Sequence, residues 1–117
     1  MLTIAERREA VVGKVGSVRI GYVDVPIYME NLDEAELFGY FDHHPTAKIA
    51  VDRGLPGRHK AGTILHEVLE AISAVYGLDL TEAQIRCLEA SLAQIALEGD
   101  EEVRSWLRLL QEDSEGT

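Results

Sequence analysis

The chain has 117 residues and a mass of 12.9 kDa, enough for one domain and too little for two independent cores. Hydrophobic residues make up 46% and charged residues 27%, which excludes an intrinsically disordered composition. The net charge of −10 disfavours binding to nucleic acids or anionic membranes. Because no apolar run reaches the ~20 residues that span a bilayer and the single cysteine excludes an internal disulfide, we expect a cytoplasmic protein.

The first half of the sequence is mainly extended in pattern. A capping box predicts a short helix over about residues 4–12. Residues 17–28 alternate apolar and polar types and are rich in β-branched and aromatic side chains, which predicts one or two strands with Pro26 at an edge or a bulge. Residues 37–42 and 47–52 are predicted to form two more strands, paired as a hairpin.

In the second half the apolar period changes from two to 3.6 residues. An amphipathic helix is predicted over about residues 59–76, with Gly77 as its left-handed cap. A second helix begins at Thr81 with a capping box, and a third covers about 101–112. The apolar stripes of the second and third helices are predicted to be buried: Ile85, Leu88, Leu92, Ile95, Val103, Trp106, Leu107 and Leu110.

These elements predict one α+β domain over residues 1–112, in which a small antiparallel or mixed sheet packs against two to three helices. Residues 113–117 are expected to be an acidic tail. Acidic residues crowd the last twenty positions, which is typical of a solvated helix face and also compatible with an acidic surface that binds a basic protein partner. The oligomeric state is left open.

One chemistry-bearing pattern, His66-Glu67-Val68-Leu69-Glu70, lies in the middle of the first long helix. His66 and Glu70 are one turn apart on the same face, so both side chains can reach a divalent ion at ~2.0–2.2 Å. Glu67 projects about 100° round the helix from His66 and could reach a water on that ion. The pattern predicts a metal site, against the simpler interpretation of three solvated surface residues.

The stretch from Ile49 to about Leu110 resembles the small zincin-type metallopeptidase domains of phages and mobile elements, of the ImmA/IrrE-like kind. The resemblance is carried by residues 48–52, by residues 63–72 with the His-Glu-x-x-Glu pattern, and by residues 76–85. It implies a strand that borders a substrate cleft, a helix that carries the metal ligands, and a carboxylate on the next helix that completes the site.

Carried over by position, the resemblance makes His66 the first zinc ligand and Glu67 the general base. Glu70 stands where these families have a second histidine. The third ligand would be Glu82 or Glu89, which lie seven residues apart on one face of the second helix. Glu82 also suits a first-turn acid that interacts with the helix dipole, and Glu89 also suits an exposed acid.

The carboxylate at position 70 changes the expected chemistry. One histidine and two carboxylates would neutralise a dication and raise the pKa of its water above the ~7 typical of catalytic zinc. Oxygen ligands also make Mn²⁺ or another divalent ion competitive with Zn²⁺. The resemblance implies a metallopeptidase-like hydrolase that acts on peptides or proteins. The changed ligand set leaves an alternative, a non-catalytic acidic interaction module with the same fold and with no metal or a structural one.

Other reactive side chains have simpler interpretations. His43 and His44 are expected in a solvated turn and His59 at the surface, while Cys87 is expected to be a buried small apolar residue. The sequence has no Gly-x-Ser-x-Gly elbow, no phosphate-binding glycine loop and no dinucleotide fingerprint. The sequence therefore gives no support for a serine hydrolase of the elbow type, a P-loop enzyme or a dinucleotide-dependent enzyme.

Overall fold

The structure, a computed structural model, describes residues 13–33, 37–43 and 46–116. Within these ranges four strands precede three helices. Their bounds are β1 (Lys14–Ile20), β2 (Val23–Glu30), β3 (Gly39–Asp42), β4 (Lys48–Asp52), α1 (Gly57–Tyr76), α2 (Glu82–Glu98) and α3 (Glu101–Gly116). The predicted α+β class is confirmed, whereas the helix predicted over residues 4–12 lies outside the described residues. Helix α3 continues to Gly116, into the segment expected to be a tail.

The strands form one mixed sheet in the order β1-β2-β4-β3. Strands β1 and β2 pair antiparallel through a turn at Gly21, whose φ of 60° favours glycine. Strand β2 pairs parallel with β4, and β4 pairs antiparallel with β3, which confirms the predicted hairpin. Although β2 is an inner strand, its pairing with β4 begins only at Ile27, so Pro26 has a neighbouring strand on one side alone.

Helix α1 covers one face of the sheet and forms the core with it. The buried core residues are Ile20, Val25, Ile27, Ile49, Val51 and Ala71, and Ile64, Val68, Ile72 and Val75 pack against them. Each large aliphatic side chain buried in this way contributes roughly 1.5–3 kcal/mol. The apolar face of α1 therefore lies on the sheet and includes Val68 of the His-Glu-x-x-Glu stretch. Glu67 is buried where β3 approaches α1, and His66 and Glu70 lie farther round the helix, away from the sheet.

The turn between α1 and α2 fixes how the two helices sit together. Helix α1 ends in a Schellman motif, in which Gly77 (φ 64°) and Leu78 donate to carbonyls of the last turn. The Leu80 amide donates to Ser73 Oγ at 2.9 Å, tying the turn back to α1. Helix α2 then begins at the predicted capping box, with Thr81 Oγ1 accepting from the Gln84 amide.

The predicted burial of the α2 and α3 stripes is wrong for all but one of the large residues. Ile85 is buried at 1% exposure, but Leu88, Leu92 and Ile95 are exposed, and so are Trp106 (57%), Leu107 and Leu110 (68%); Val103 is half-buried. Helix α2 packs on α1, and among the described residues no element packs extensively against α3. Amphipathic spacing identified the apolar faces but could not show whether a partner covers them.

Two further findings concern single features of the helices. Cys87 is exposed, so its predicted burial is wrong; it lies on a side of α2 that does not face α1. In the described part of the chain, no helix combines the length and the apolar character that a membrane crossing requires.

Candidate metal centre

The side chains of the His-Glu-x-x-Glu pattern meet α2 along the groove where α2 packs on α1. His66 and Glu70 project from α1, and Glu82 and Glu89 project from α2. Because Glu82 directly follows the Thr81 cap, the same hydrogen bonds that start α2 also place this carboxylate in its first turn. Both predicted third ligands therefore reach the neighbourhood of His66.

One imidazole nitrogen and two carboxylate oxygens, all potential metal ligands, lie close together at the Nε2 edge of the His66 ring. His66 Nε2 lies 3.2 Å from Glu82 Oε1 and 3.7 Å from Glu70 Oε1. One ligand atom from each of these residues lies within 4.8 Å of the other two. Ligands at ~2.0–2.2 Å in a tetrahedral arrangement are separated by about 3.4 Å. The two separations that involve Nε2, 3.2 and 3.7 Å, are close to that value.

Glu89 contacts the other ring nitrogen. Its Oε1 lies 2.8 Å from His66 Nδ1, the shortest contact that the imidazole makes among the described residues. The two carboxylates that the sequence could not distinguish thus lie on opposite edges of one ring: Glu82 beside Nε2 and Glu89 beside Nδ1.

Glu67 is the most buried acid of this centre, with 9% exposure. The pKa of Glu67 is raised from its ordinary value of 4.5 to about 7, mainly by burial and in smaller part by the charges of Glu70, Glu82 and Glu89, against a lowering effect of His66. The pKa of Glu70 is also raised, mainly by burial and then by Glu82. Carboxylates this close together attract a cation, because a nearby positive charge would lower the raised pKa values of Glu67 and Glu70.

The centre opens into a cleft of about 480 Å³ between β3, α1 and α2. His66, Glu67, Glu82 and Glu89 line one part of it. Other parts are lined by apolar and small side chains and two basic groups: Leu37, Phe38, Gly39, Gly62, Thr63, His59 and Arg86. Polar groups thus converge at one part of a concave surface whose lining also includes apolar side chains, as in many ligand sites.

Asp52, the last residue of β4, fixes Phe38 of the cleft lining to the sheet. The Asp52 amide donates to the Phe38 carbonyl at 2.7 Å, and the buried Asp52 carboxylate accepts from the Leu32 amide at 3.2 Å. One residue therefore holds both sides of the connection between β2 and β3.

Gly39 allows β3 to lie directly against α1. A Cβ at this position would come within 2.8 Å of the Thr63 methyl and 2.9 Å of the Ala50 carbonyl oxygen, and within 3.5 Å of Glu67 Cγ. Only a residue without a side chain fits this approach. The close packing brings the edge of the sheet beside the buried acid.

His59 and Arg86 also line the cleft, which the sequence had not indicated. His59 is exposed, as expected, and its ring packs edge-to-face against Phe38 with ring centroids 4.6 Å apart. Arg86 Nε lies 3.4 Å from Glu82 Oε1. A signal for His59 existed, because positions 59, 63, 66 and 70 follow the helical three-and-four spacing of one face.

The remaining histidines and Tyr40 lie elsewhere. His43 packs edge-on against the Phe41 ring at 5.9 Å and is not among the cleft residues; His44 is outside the described residues. The Tyr40 hydroxyl donates to Glu30 at 3.0 Å and does not line the cleft. Comparison with protein-family models, curated proteins and solved structures finds no match to this chain, so the geometry of the centre is the basis for a functional assignment.

Proposed function

We propose that this protein is a metal-dependent hydrolase of peptide bonds, in which His66, Glu70 and Glu82 hold a divalent ion and Glu67 is the general base. The observation that carries the proposal is the convergence of three ligand atoms within 4.8 Å beside a buried carboxylate at the wall of a cleft.

The donor set fits Zn²⁺ and also suits Mn²⁺ or another divalent ion. One imidazole and two carboxylates balance the charge of a dication, and carboxylate oxygens favour harder ions more than a second imidazole would. A metal ion bound here would lower the pKa of a water and polarise the carbonyl of a substrate.

Glu67 supplies the proton transfer. A general base works best when its pKa lies near the working pH, and burial raises the pKa of Glu67 to about 7. The Glu67 carboxylate would take the proton from the attacking water and return it to the amine nitrogen as the peptide bond breaks. The low exposure of this side chain keeps bulk water from competing for that proton.

The sheet edge supports a peptide as the substrate. Strand β3 is an edge strand of the sheet, and residues at its start line the cleft. An extended peptide can pair with such an edge through main-chain hydrogen bonds. A bound peptide would then run past Glu67, since the start of β3 packs closely on α1 at that residue.

Elemental analysis and metal titration test the centre. We expect stoichiometric binding of Zn²⁺ or Mn²⁺ to the wild type and its loss in His66→Ala, Glu70→Ala and Glu82→Ala. Glu102→Ala, an exposed acid at the start of α3, is the control and should bind as the wild type does. Equal and negligible binding by all five proteins would refute the proposal.

Activity on a mixture of unstructured peptides tests the reaction. Glu67→Gln should keep the metal and lose hydrolysis by roughly 10²–10⁴-fold, the usual contribution of a general base. Activity that survives in Glu67→Gln, or that is unaffected by a chelator, would exclude the proposed mechanism.

The exposed apolar residues of α2 and α3 favour a second candidate, an interaction module without catalysis. The large apolar side chains exposed on these helices are Leu88, Leu92, Ile95, Leu97, Trp106, Leu107, Leu109 and Leu110, beside the acids Glu101 and Glu102. Under this alternative, binding of a basic protein partner would be lost on charge reversal at Glu101 and Glu102 and would be retained in Glu67→Gln.

A further inference from the structure

We infer that Glu89 is a positioning residue for His66 rather than a ligand of the ion. Its carboxylate fixes the tautomer and the orientation of the imidazole, so that Nε2 faces Glu70 and Glu82. This inference rests on the proposed function for its consequence, while the tautomer itself can be measured in the metal-free protein.

The assignment follows from the two edges of the ring. Nδ1 has Glu89 Oε1 at 2.8 Å, and Nε2 has Glu82 Oε1 at 3.2 Å and Glu70 Oε1 at 3.7 Å. The lone pairs of the two ring nitrogens point in different directions, so one ion cannot use both edges of the ring. Only the Nε2 edge gathers two carboxylates, and the cluster found among the described residues is His66, Glu70 and Glu82.

The chemistry of the ring then gives Glu89 its role. A neutral imidazole carries one N–H, and an ionised carboxylate can only accept a hydrogen bond. In a neutral ring, a proton on Nδ1 is donated to Glu89 across this 2.8 Å contact, and the lone pair of Nε2 then lies on the edge of Glu70 and Glu82. A carboxylate behind a ligating histidine fixes the ring orientation and makes the ligand nitrogen more basic.

Helix α2 supplies both carboxylates because of its spacing. Glu82 and Glu89 are seven residues apart, about two turns, and therefore face α1 together. The contacts of Ser73 with Leu80 and of Thr81 with Gln84 fix the start of α2 relative to α1. Glu89 has the less exposed side chain of the two, at 30% against 54% for Glu82, as suits a fixed hydrogen-bond partner.

Co²⁺ binding followed by visible absorption distinguishes a ligand from a positioning residue. Glu89→Leu should weaken Co²⁺ binding by roughly 10–100-fold and keep the band positions and intensity of the saturated wild type. Glu89→Gln, which can still accept from Nδ1, should recover most of the affinity. Glu82→Ala should change the spectrum itself because a ligand is lost. A spectrum altered in saturated Glu89→Leu would overturn the inference, because the coordination of the ion would then depend on Glu89.

NMR of the ¹⁵N-labelled His66 ring at pH 8 provides a metal-free test. The wild type should show the Nδ1–H tautomer, and Glu89→Leu should shift the population toward Nε2–H. A wild type with the proton on Nε2, or an unchanged ring in Glu89→Leu, would also overturn the inference. If the wild type binds no Co²⁺ but shows the expected tautomers, the proposed function fails and the contact between Glu89 and Nδ1 stands.

Discussion

The raised pKa of Glu67 predicts that Glu67→Gln stabilises the metal-free protein at high pH. The folded-state pKa of about 7 lies above the ordinary value of 4.5, so between these values the native state binds more protons than the unfolded chain. The contribution of Glu67 to stability is then fully present below pH 4.5 and is lost as the pH rises through 7. From pH 5 to pH 8 the loss amounts to about 2.5 kcal/mol.

Urea unfolding of both proteins in a chelator, at pH 5 and pH 8, measures this effect. Other titrating groups, including Glu70 with its raised pKa, largely cancel when the variant is compared with the wild type. The difference in unfolding free energy should therefore move in favour of Glu67→Gln by about 2.5 kcal/mol across that range. A difference that changes by less than about 0.5 kcal/mol would refute the burial argument for Glu67.

Three further predictions concern packing and capping. Gly39→Ala should lower the free energy of unfolding by roughly 1–3 kcal/mol, because a Cβ there meets atoms of β4 and α1. Gly62 lies in α1 and faces open space, so Gly62→Ala should instead raise the free energy of unfolding by about 0.5–1 kcal/mol. Urea titration measures both changes. Thr81→Ala should cost about 1 kcal/mol and also weaken Co²⁺ binding, since the cap sets the first turn of α2; unchanged Co²⁺ affinity would contradict that link. Thermal unfolding should show a loss of roughly 2–5 kcal/mol for Ile85→Ala and of no more than about 0.5 kcal/mol for Leu110→Ala; equal losses would contradict the exposure of α3.

The elements of this fold could be predicted because their signals are local. The alternation over residues 17–28, the glycine at position 77 and the capping box at Thr81 each act within a few residues of chain. The structure has strands, a left-handed cap and a helix start at these places. Helix α1 also packs its apolar face against the buried strand residues of the sheet.

Burial on the last two helices could not be predicted in the same way. An apolar stripe shows which face of a helix avoids water, but the presence of a covering element depends on the rest of the chain. Trp106 and Leu110 follow the spacing of core residues and are nevertheless exposed. The burial expected for Cys87 rested on residue type alone, and the side chain is exposed.

The sequence indicated which side chains would come close together, but not which ring nitrogen of His66 each acid of α2 would contact. The spacing in α1 singles out His66 and Glu70, and both acids of α2 fall on one face, about 20° apart. Only distances separate them, since Glu82 lies beside Nε2 and Glu89 beside Nδ1. Likewise, the burial of Glu67 depends on the close approach of β3 at Gly39. A glycine in the sequence does not by itself predict such a contact.

The anchoring of the β2–β3 connection by Asp52 holds part of the cleft lining independently of the helix that bears the imidazole. Its two hydrogen bonds hold Leu32 and Phe38, and Phe38 lines the cleft together with Leu37. Exchanges of Leu37 and Phe38 would change the shape of that lining while His66 stays in place. Laboratory evolution of a new selectivity would therefore best begin at these two positions.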